Sequence, residues 1–266
     1  MRISRAKSIA AVGLIAGSLS MIVAANQAAA LPSQVPSEVT PIIVPGTKAP
    51  TFGVDMHLPP LSQTQDYQAG PSPAKAIREY RRSGTYAQDQ QAVAAAAGTF
   101  LADWLVATCG DTSQAVCRPA AVFDIDDTLL SWYPLYDAID FRYTKAVSTV
   151  AVDGCTTPVI APVRALLNKA KILGASVFLL SGRTETQRAQ TEACLRKRGV
   201  TGWSKLVLRS AEQASLTAAQ YKSAQRAQWQ SEGWRLGLTI GDQVSDLAGG
   251  HVASAFLLPN PMYYIP

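Results

Sequence analysis

Ala120-Ala121-Val122-Phe123-Asp124-Ile125-Asp126-Asp127-Thr128 is the stretch on which the reading of this chain turns. Four apolar residues without polar alternation suit a strand buried on both faces, and the abrupt arrival of Asp124, Asp126 and Asp127 marks its carboxyl end. Outward from there the figure repeats. Ser176 to Leu180, Leu206 to Leu208, Leu236 to Ile240 and Ala255 to Leu258 are further short apolar runs. Helix-forming stretches lie around Val159 to Leu173, Thr186 to Arg198 and Thr217 to Gln230. Buried strands alternating with helices predict an α/β fold with a parallel sheet covered on both faces.

In such a sheet ligands bind outside the carboxyl ends of the strands, so the residues just after each apolar run carry the chemistry. Ser181-Gly182-Arg183 follows the second run, and Gly241-Asp242, with Asp246 one helical turn later, follows the fourth. Carboxylates gathered in a partly buried cleft repel one another unless a cation neutralises them. With only two histidines, His57 and His251, and no C-x-x-C or H-x-x-x-H pair, the chain offers that cation oxygen ligands. Magnesium fits, because it accepts carboxylates together with a phosphate oxygen and water. It would shield an incoming phosphate from the aspartates and polarise the phosphoryl group. A carboxylate such as Asp124 is already ionised and can attack phosphorus without a separate base. Asp126, two residues on, points to the same side of an extended chain and can protonate the leaving oxygen.

The flanking regions read differently. Leu130 to Cys155, rich in Trp132, Tyr133, Tyr136, Phe141 and Tyr143, is expected to form a cap insertion, bounded here as residues 130–158. The aromatic residues are expected mainly to fill the cap interface, with Trp132, Tyr133 and Tyr136 as the alternative lining of a substrate entrance. Ala74 to Thr108 is helix-forming, broken at Ser83-Gly84, and places Val93, Ala97, Phe100, Leu101, Trp104 and Leu105 on one face. It predicts a small helical lobe over residues 74–118, opening a domain that runs from 74 to 266. Nine of the 16 prolines precede residue 74, so residues 31–73 read as a linker or surface arm.

Residues 1–30 read as an export signal. Arg2, Arg5 and Lys7 precede the mainly apolar Ile9 to Ala25, and Ala28-Ala29-Ala30 offers a cleavage site. An uncleaved anchor is the alternative; after cleavage no stable membrane insertion is expected. The mature protein is then secreted, periplasmic or in the cell envelope. Losing the three leader cations takes the formal +5 to about +2, which gives no support to a nucleic-acid partner. In an oxidising compartment the four cysteines are expected to pair, Cys109 with Cys117 and Cys155 with Cys194 being favoured among three connectivities.

Taken together, Asp124-Ile125-Asp126-Asp127-Thr128, Ser181-Gly182-Arg183, Tyr221-Lys222, Gly241-Asp242 through Asp246, and Leu258-Pro259-Asn260-Pro261-Met262-Tyr263-Tyr264 resemble the secreted acid phosphatases of the haloacid dehalogenase superfamily. The resemblance is greatest to plant acid phosphatases and vegetative storage proteins, with bacterial class B and class C acid phosphatases related. It implies a Rossmann-like parallel sheet (the haloacid dehalogenase fold) and a phosphomonoester substrate. It also implies Asp124 as nucleophile, Asp126 as general acid and base, and Ser181 as a donor to phosphoryl oxygens. Lys222 would neutralise charge on the nucleophile and the transferring group. Asp124, Asp242, Asp246 and the backbone carbonyl of Asp126 would hold Mg2+. Thr128, Ser181 and Arg183 are assigned to substrate binding. Lys205 is the alternative to Lys222, and Arg183 has the alternative of pairing with Glu185. The acid phosphatase reading competes with phosphotransfer or nucleotidase chemistry at the same site, and with a catalytically silent binding or storage protein. The presence of Asp124 speaks against the last.

Overall fold

The computed structural model describes residues 67–68 and 71–265. The expected leader, most of the 31–73 arm and His57 lie outside the described residues. In chain order the elements are β1 (Tyr67–Gln68), α1 (Pro71–Arg82), α2 (Thr85–Cys109), α3 (Gln114–Cys117), β2 (Pro119–Phe123), α4 (Tyr133–Ala138), β3 (Arg142–Tyr143) and α5 (Lys145–Gly154). There follow α6 (Ala161–Ile172), β4 (Ser176–Thr184), α7 (Arg188–Lys197), β5 (Lys205–Arg209), α8 (Ala218–Ser231), β6 (Arg235–Gly241), α9 (Val244–Leu247) and β7 (Ser254–Leu257).

Five strands form one sheet in the order β5-β4-β2-β6-β7, with every pairing parallel. All five are the apolar runs singled out in the sequence. The chain builds one side of β2 through β4 and β5, then returns to build the other through β6 and β7, so the order reverses between β2 and β6. In sheets of this kind ligands bind at such a reversal, outside the carboxyl ends of the strands, which here carry Asp124 and Asp242.

β2 is buried along its whole length, and its pleat feeds two cores. Ala121 and Phe123 face α2, α6 and α7 through Val93, Leu101, Val163, Leu167 and Leu195. Ala120 and Val122 face α8 through Tyr221 and Trp229. α2 is long and apolar enough to span a membrane by length and composition. Here its Val93, Ala97 and Leu101 are buried in the core. The helix lies so close to β6 that a Cβ on Gly237 would come within 2.6 Å of the Trp104 ring.

A third core joins Ala74 and Ile77 of α1, the cap aromatics Trp132, Tyr133, Tyr136 and Phe141, and Met262 and Tyr263 of the C-terminal segment. The segment carrying these aromatics, expected as a cap, is therefore packed against both ends of the described chain. α1 begins at Pro71, earlier than the expected start at 74, because proline at a helix's first turn loses no hydrogen bond. The β1–β3 pair places Tyr67–Gln68 beside the cap, where the sequence suggested only a linker or arm. Cys109–Cys117 and Cys155–Cys194 are both disulfides, as favoured. The first closes the turn ahead of β2, and the second ties the end of α5 to α7.

Candidate active site

The ladder between β2 and β6 continues one residue past the strand, since the Asp124 N–H donates to the Ile240 carbonyl at 3.0 Å. The chain then turns sharply. Leu129 and Leu130 both donate to the Ile125 carbonyl, and Asp127 takes a left-handed φ of 52° that an aspartate tolerates better than most residues. The Asp127 carboxylate fixes this loop by accepting from the Trp132 N–H at 2.8 Å and the Tyr263 hydroxyl at 2.7 Å.

Asp124 is buried against Lys222, whose ammonium lies 2.5 Å from Asp124 Oδ1 and 2.5 Å from Asp246 Oδ1. Lys222 comes from the second turn of α8, which starts with a reciprocal Thr217–Gln220 capping box. One turn later Arg226, fully buried, donates to the carbonyls of Asp246, Leu247, Ala248 and Gly250. A single helix face thus grips both the side chain and the backbone of the Asp246 segment. Arg226 faces carbonyl dipoles rather than a carboxylate, and burial lowers its pKa to about 10. Lys205, the alternative cation, lies elsewhere, paired with Glu232 at 2.6 Å.

Asp124, Asp242 and Asp246 each bring a carboxylate oxygen within 4.8 Å of the others. Asp242 accepts from Thr128 Oγ1 at 3.2 Å, Gln243 Nε2 at 2.6 Å and Asn260 Nδ2 at 2.7 Å. Asp246 folds back over its own loop to accept from the Gln243 N–H at 3.0 Å. A Cβ at Gly241 would collide with the Asp246 carboxylate, so glycine is what admits that fold. Burial drives the pKa of Asp124 well above the ordinary carboxylate range; Lys222 opposes this, while Asp246 and Asp242 add to it. Burial and Asp246 raise Asp242 in the same way. An all-oxygen cluster with excess buried negative charge fits a hard divalent cation.

Asp126 behaves oppositely. Burial would raise its pKa, but the Arg183 charge, the Arg183 hydrogen bonds and the Trp132 indole outweigh it and hold the group below its ordinary value. Arg183 forks onto it, with Nη2 at 2.6 Å and Nε at 3.0 and 3.1 Å, while Trp132 Nε1 donates at 2.6 Å. The Asp126 side chain therefore stands apart from the cation cluster, and only its backbone is left for the expected ligand role. Arg183 does not pair with Glu185, which is held by Arg188. Ser181 is fully buried and its Oγ accepts from the Arg183 N–H at 3.2 Å, leaving the hydroxyl proton free to donate. Thr128 is buried on Asp242 rather than turned toward open solvent.

Sequence reasoning gave no site role to Arg226 or Gln243, quoted Asn260 and Tyr263 only within the motif that carries the resemblance, and assigned Trp132 mainly to packing. Arg226 was signalled by its four-residue spacing from Lys222, which places both on one helix face. Asn260 was signalled by the strand-end argument itself, since it follows β7 as Asp124 follows β2. Tyr263 lay in a recognised motif, but nothing local in it pointed to Asp127.

Residues 61–266 match the family described as the HAD superfamily, subfamily IIIB (acid phosphatase). Acid phosphatase 1 of Solanum lycopersicum is 40% identical over 154 residues, covering 56% of this chain and 60% of the relative. The stem 28 kDa glycoprotein of Glycine max is 39% identical over 150 residues, covering 54% and 59%. The chain thus spans about 60% of the length of these curated relatives. Among solved structures, the class C acid phosphatase of Bacillus anthracis superposes with a TM-score of 0.54 at 18% identity, over 73% of this chain and 85% of that one. At that identity the likeness is one of fold.

Proposed function

The chain belongs to subfamily IIIB of the haloacid dehalogenase superfamily, the acid phosphatases, and on that premise we propose that it hydrolyses phosphate monoesters through a phosphorylated Asp124. The observation that carries this reading is the pair of aspartates two residues apart at the end of β2, one in the cation cluster and one outside it. Magnesium held by Asp124, Asp242 and Asp246 would supply charge neutralisation and polarise the phosphoryl group.

Asp124 attacks phosphorus through a carboxylate oxygen as the bond to the leaving alcohol breaks. Lys222 offsets the charge on Asp124 and on the transferring group, and the Ser181 hydroxyl donates to a phosphoryl oxygen. Asp126 gives a proton to the departing alcohol oxygen. It then takes one from the water that attacks the aspartyl-phosphate, releasing inorganic phosphate and restoring Asp124. The Arg183 fork keeps Asp126 ionised, so the proton can be loaded only as the fork loosens. A phosphate dianion arriving beside the guanidinium competes for it and provides that release.

Export of the mature protein is part of the same proposal, supported by two disulfides that an oxidising compartment would maintain. Hydrolysis of an aryl phosphate by the purified protein, with magnesium and with chelator, tests the reading. Turnover that needs the metal is expected. A folded protein that binds magnesium yet turns over no phosphomonoester would favour a silent binding or storage role. Transfer to an added alcohol acceptor would show the phosphotransferase variant of the same intermediate.

A further inference from the structure

The last residues of the described chain touch both loops that carry the acids. Tyr263 donates its hydroxyl to Asp127 Oδ2 in the loop after β2. Asn260 donates to Asp242 Oδ2 in the loop after β6. Gln243 ties the segment from the other side, donating to Asp242 Oδ2 and to the Tyr263 carbonyl at 3.4 Å while its Oε1 accepts from the Ile265 N–H at 2.8 Å. The Ser245 hydroxyl closes the stitch on the Ile265 carbonyl at 2.9 Å. The orientation of the Asn260 amide is fixed by the network, because its Oδ1 accepts from the Met262 N–H at 2.9 Å and so its Nδ2 must face Asp242.

We propose that residues 260–265 form a positioning strap that makes Asp242 a one-oxygen ligand and sets the magnesium affinity of the site. The argument is a count of lone pairs, and it rests on the cation reading given above. A carboxylate oxygen accepts two hydrogen bonds. Both positions on Asp242 Oδ2 are filled, by Gln243 and Asn260, and one on Oδ1 is filled by Thr128. A single acceptor position remains, on Oδ1. Without the strap's amide the carboxylate could rotate or offer both oxygens, and the loops on either side of the crevice would lose their shared anchor. Partners of this kind hold metal ligands in place without touching the metal.

The test is calorimetric Mg2+ binding to the full chain and to Asn260→Ala and Tyr263→Phe, beside the magnesium dependence of aryl phosphate hydrolysis. Asn260→Ala should weaken Mg2+ binding roughly tenfold or more, and the concentration giving half-maximal turnover should rise with it. Raising magnesium should then restore turnover, which a merely structural lesion would not allow. Tyr263→Phe, which removes one hydroxyl and keeps the ring packed, should weaken binding by about two- to fivefold. Affinities within about twofold of the unmutated protein in both variants would overturn the strap while leaving the phosphatase reading intact. If Asn260→Ala fails to fold, the near-isosteric Asn260→Leu, which also lacks the amide donor, decides in its place: weakened binding supports the strap and unchanged binding overturns it. An unmutated protein that neither binds Mg2+ nor turns over substrate would overturn the site reading and the strap with it.

Discussion

The two ends of the same five strands are built on opposite principles. At the carboxyl end Asp124, Asp127, Asp242, Asp246, Lys222 and Arg183 are all buried, and each is held by hydrogen bonds from a distant part of the chain. At the amino end, where β2 starts at Pro119, a cavity of about 600 Å3 is lined by Leu105, Val106 and Leu173, by the polar Thr112, Ser113 and Gln114, and by Cys109 of a disulfide. Val106 and Ile172 stand 75% and 84% exposed there. Buried charges are expensive when one partner is removed, whereas the described residues of the amino-end rim carry no buried ion pair. The carboxyl end should therefore answer to mutation through chemistry, and the amino end through stability alone.

The sharpest contrast comes from Asp124→Asn, which keeps the shape and removes the proposed nucleophile. Turnover of an aryl phosphate should fall by roughly ten-thousandfold or more with the fold intact, read by steady-state assay and circular dichroism. Lys222→Met should follow. It leaves Asp124 and Asp246 facing each other without their shared cation, so activity should drop about a hundredfold. In chelator its thermal unfolding should fall well below that of the unmutated protein, and added magnesium should recover much of the difference. Equal melting temperatures in chelator would show that the ammonium is not what holds the two carboxylates together.

A pH series probes the same charges collectively. Burial raises the Asp127 carboxyl to about 7 despite the Trp132 and Tyr263 hydrogen bonds, and Asp124 and Asp242 are raised as well. The folded state therefore binds these protons more tightly than the unfolded chain does. For Asp127 that contribution is fully present below the ordinary value of 3.8 and is lost as pH rises to about 7. Metal-free protein should lose stability between about pH 4 and pH 7 in denaturant titrations, and Asp127→Asn should remove part of the slope. A slope of the opposite sign would contradict the burial of uncompensated carboxylates. At the amino end, replacing Cys109 and Cys117 by serine should cost about 2–4 kcal/mol of stability. Activity per folded molecule should stay within about twofold, as befits a site at the far end of the sheet. A larger loss of turnover would break the division between the two ends.

The five strands were legible because each is an apolar run followed by polar groups, and β2 announces itself most clearly. The helix α8 was legible from its start, Thr217 being its capping residue, whereas α4 and α5 within residues 130–158 were not read as helices. At the site, the sequence pointed to every charged residue that meets in the cluster around Asp124 and Asp246 except Arg226. What it could not show were side-chain partners far apart in the chain. Arg183 had two open readings, and the bond it makes, to Asp126 across 57 residues, was neither of them. Tyr263 meets Asp127 across 136 residues, and nothing local in Met262-Tyr263-Tyr264 reports that contact. The two-residue β1 and β3 carry too short a pattern to register as strands.

The central claim, that the buried Asp124 is the atom-donating nucleophile, is tested most directly by mixing protein, magnesium and an aryl phosphate, quenching in acid within the first turnover, and sequencing peptides by mass spectrometry. One phosphoryl group on the peptide spanning Asp124, absent from Asp124→Asn, is the predicted result. Turnover in the unmutated protein with no phosphorylated peptide at any time point, or the group found on another residue, would contradict it.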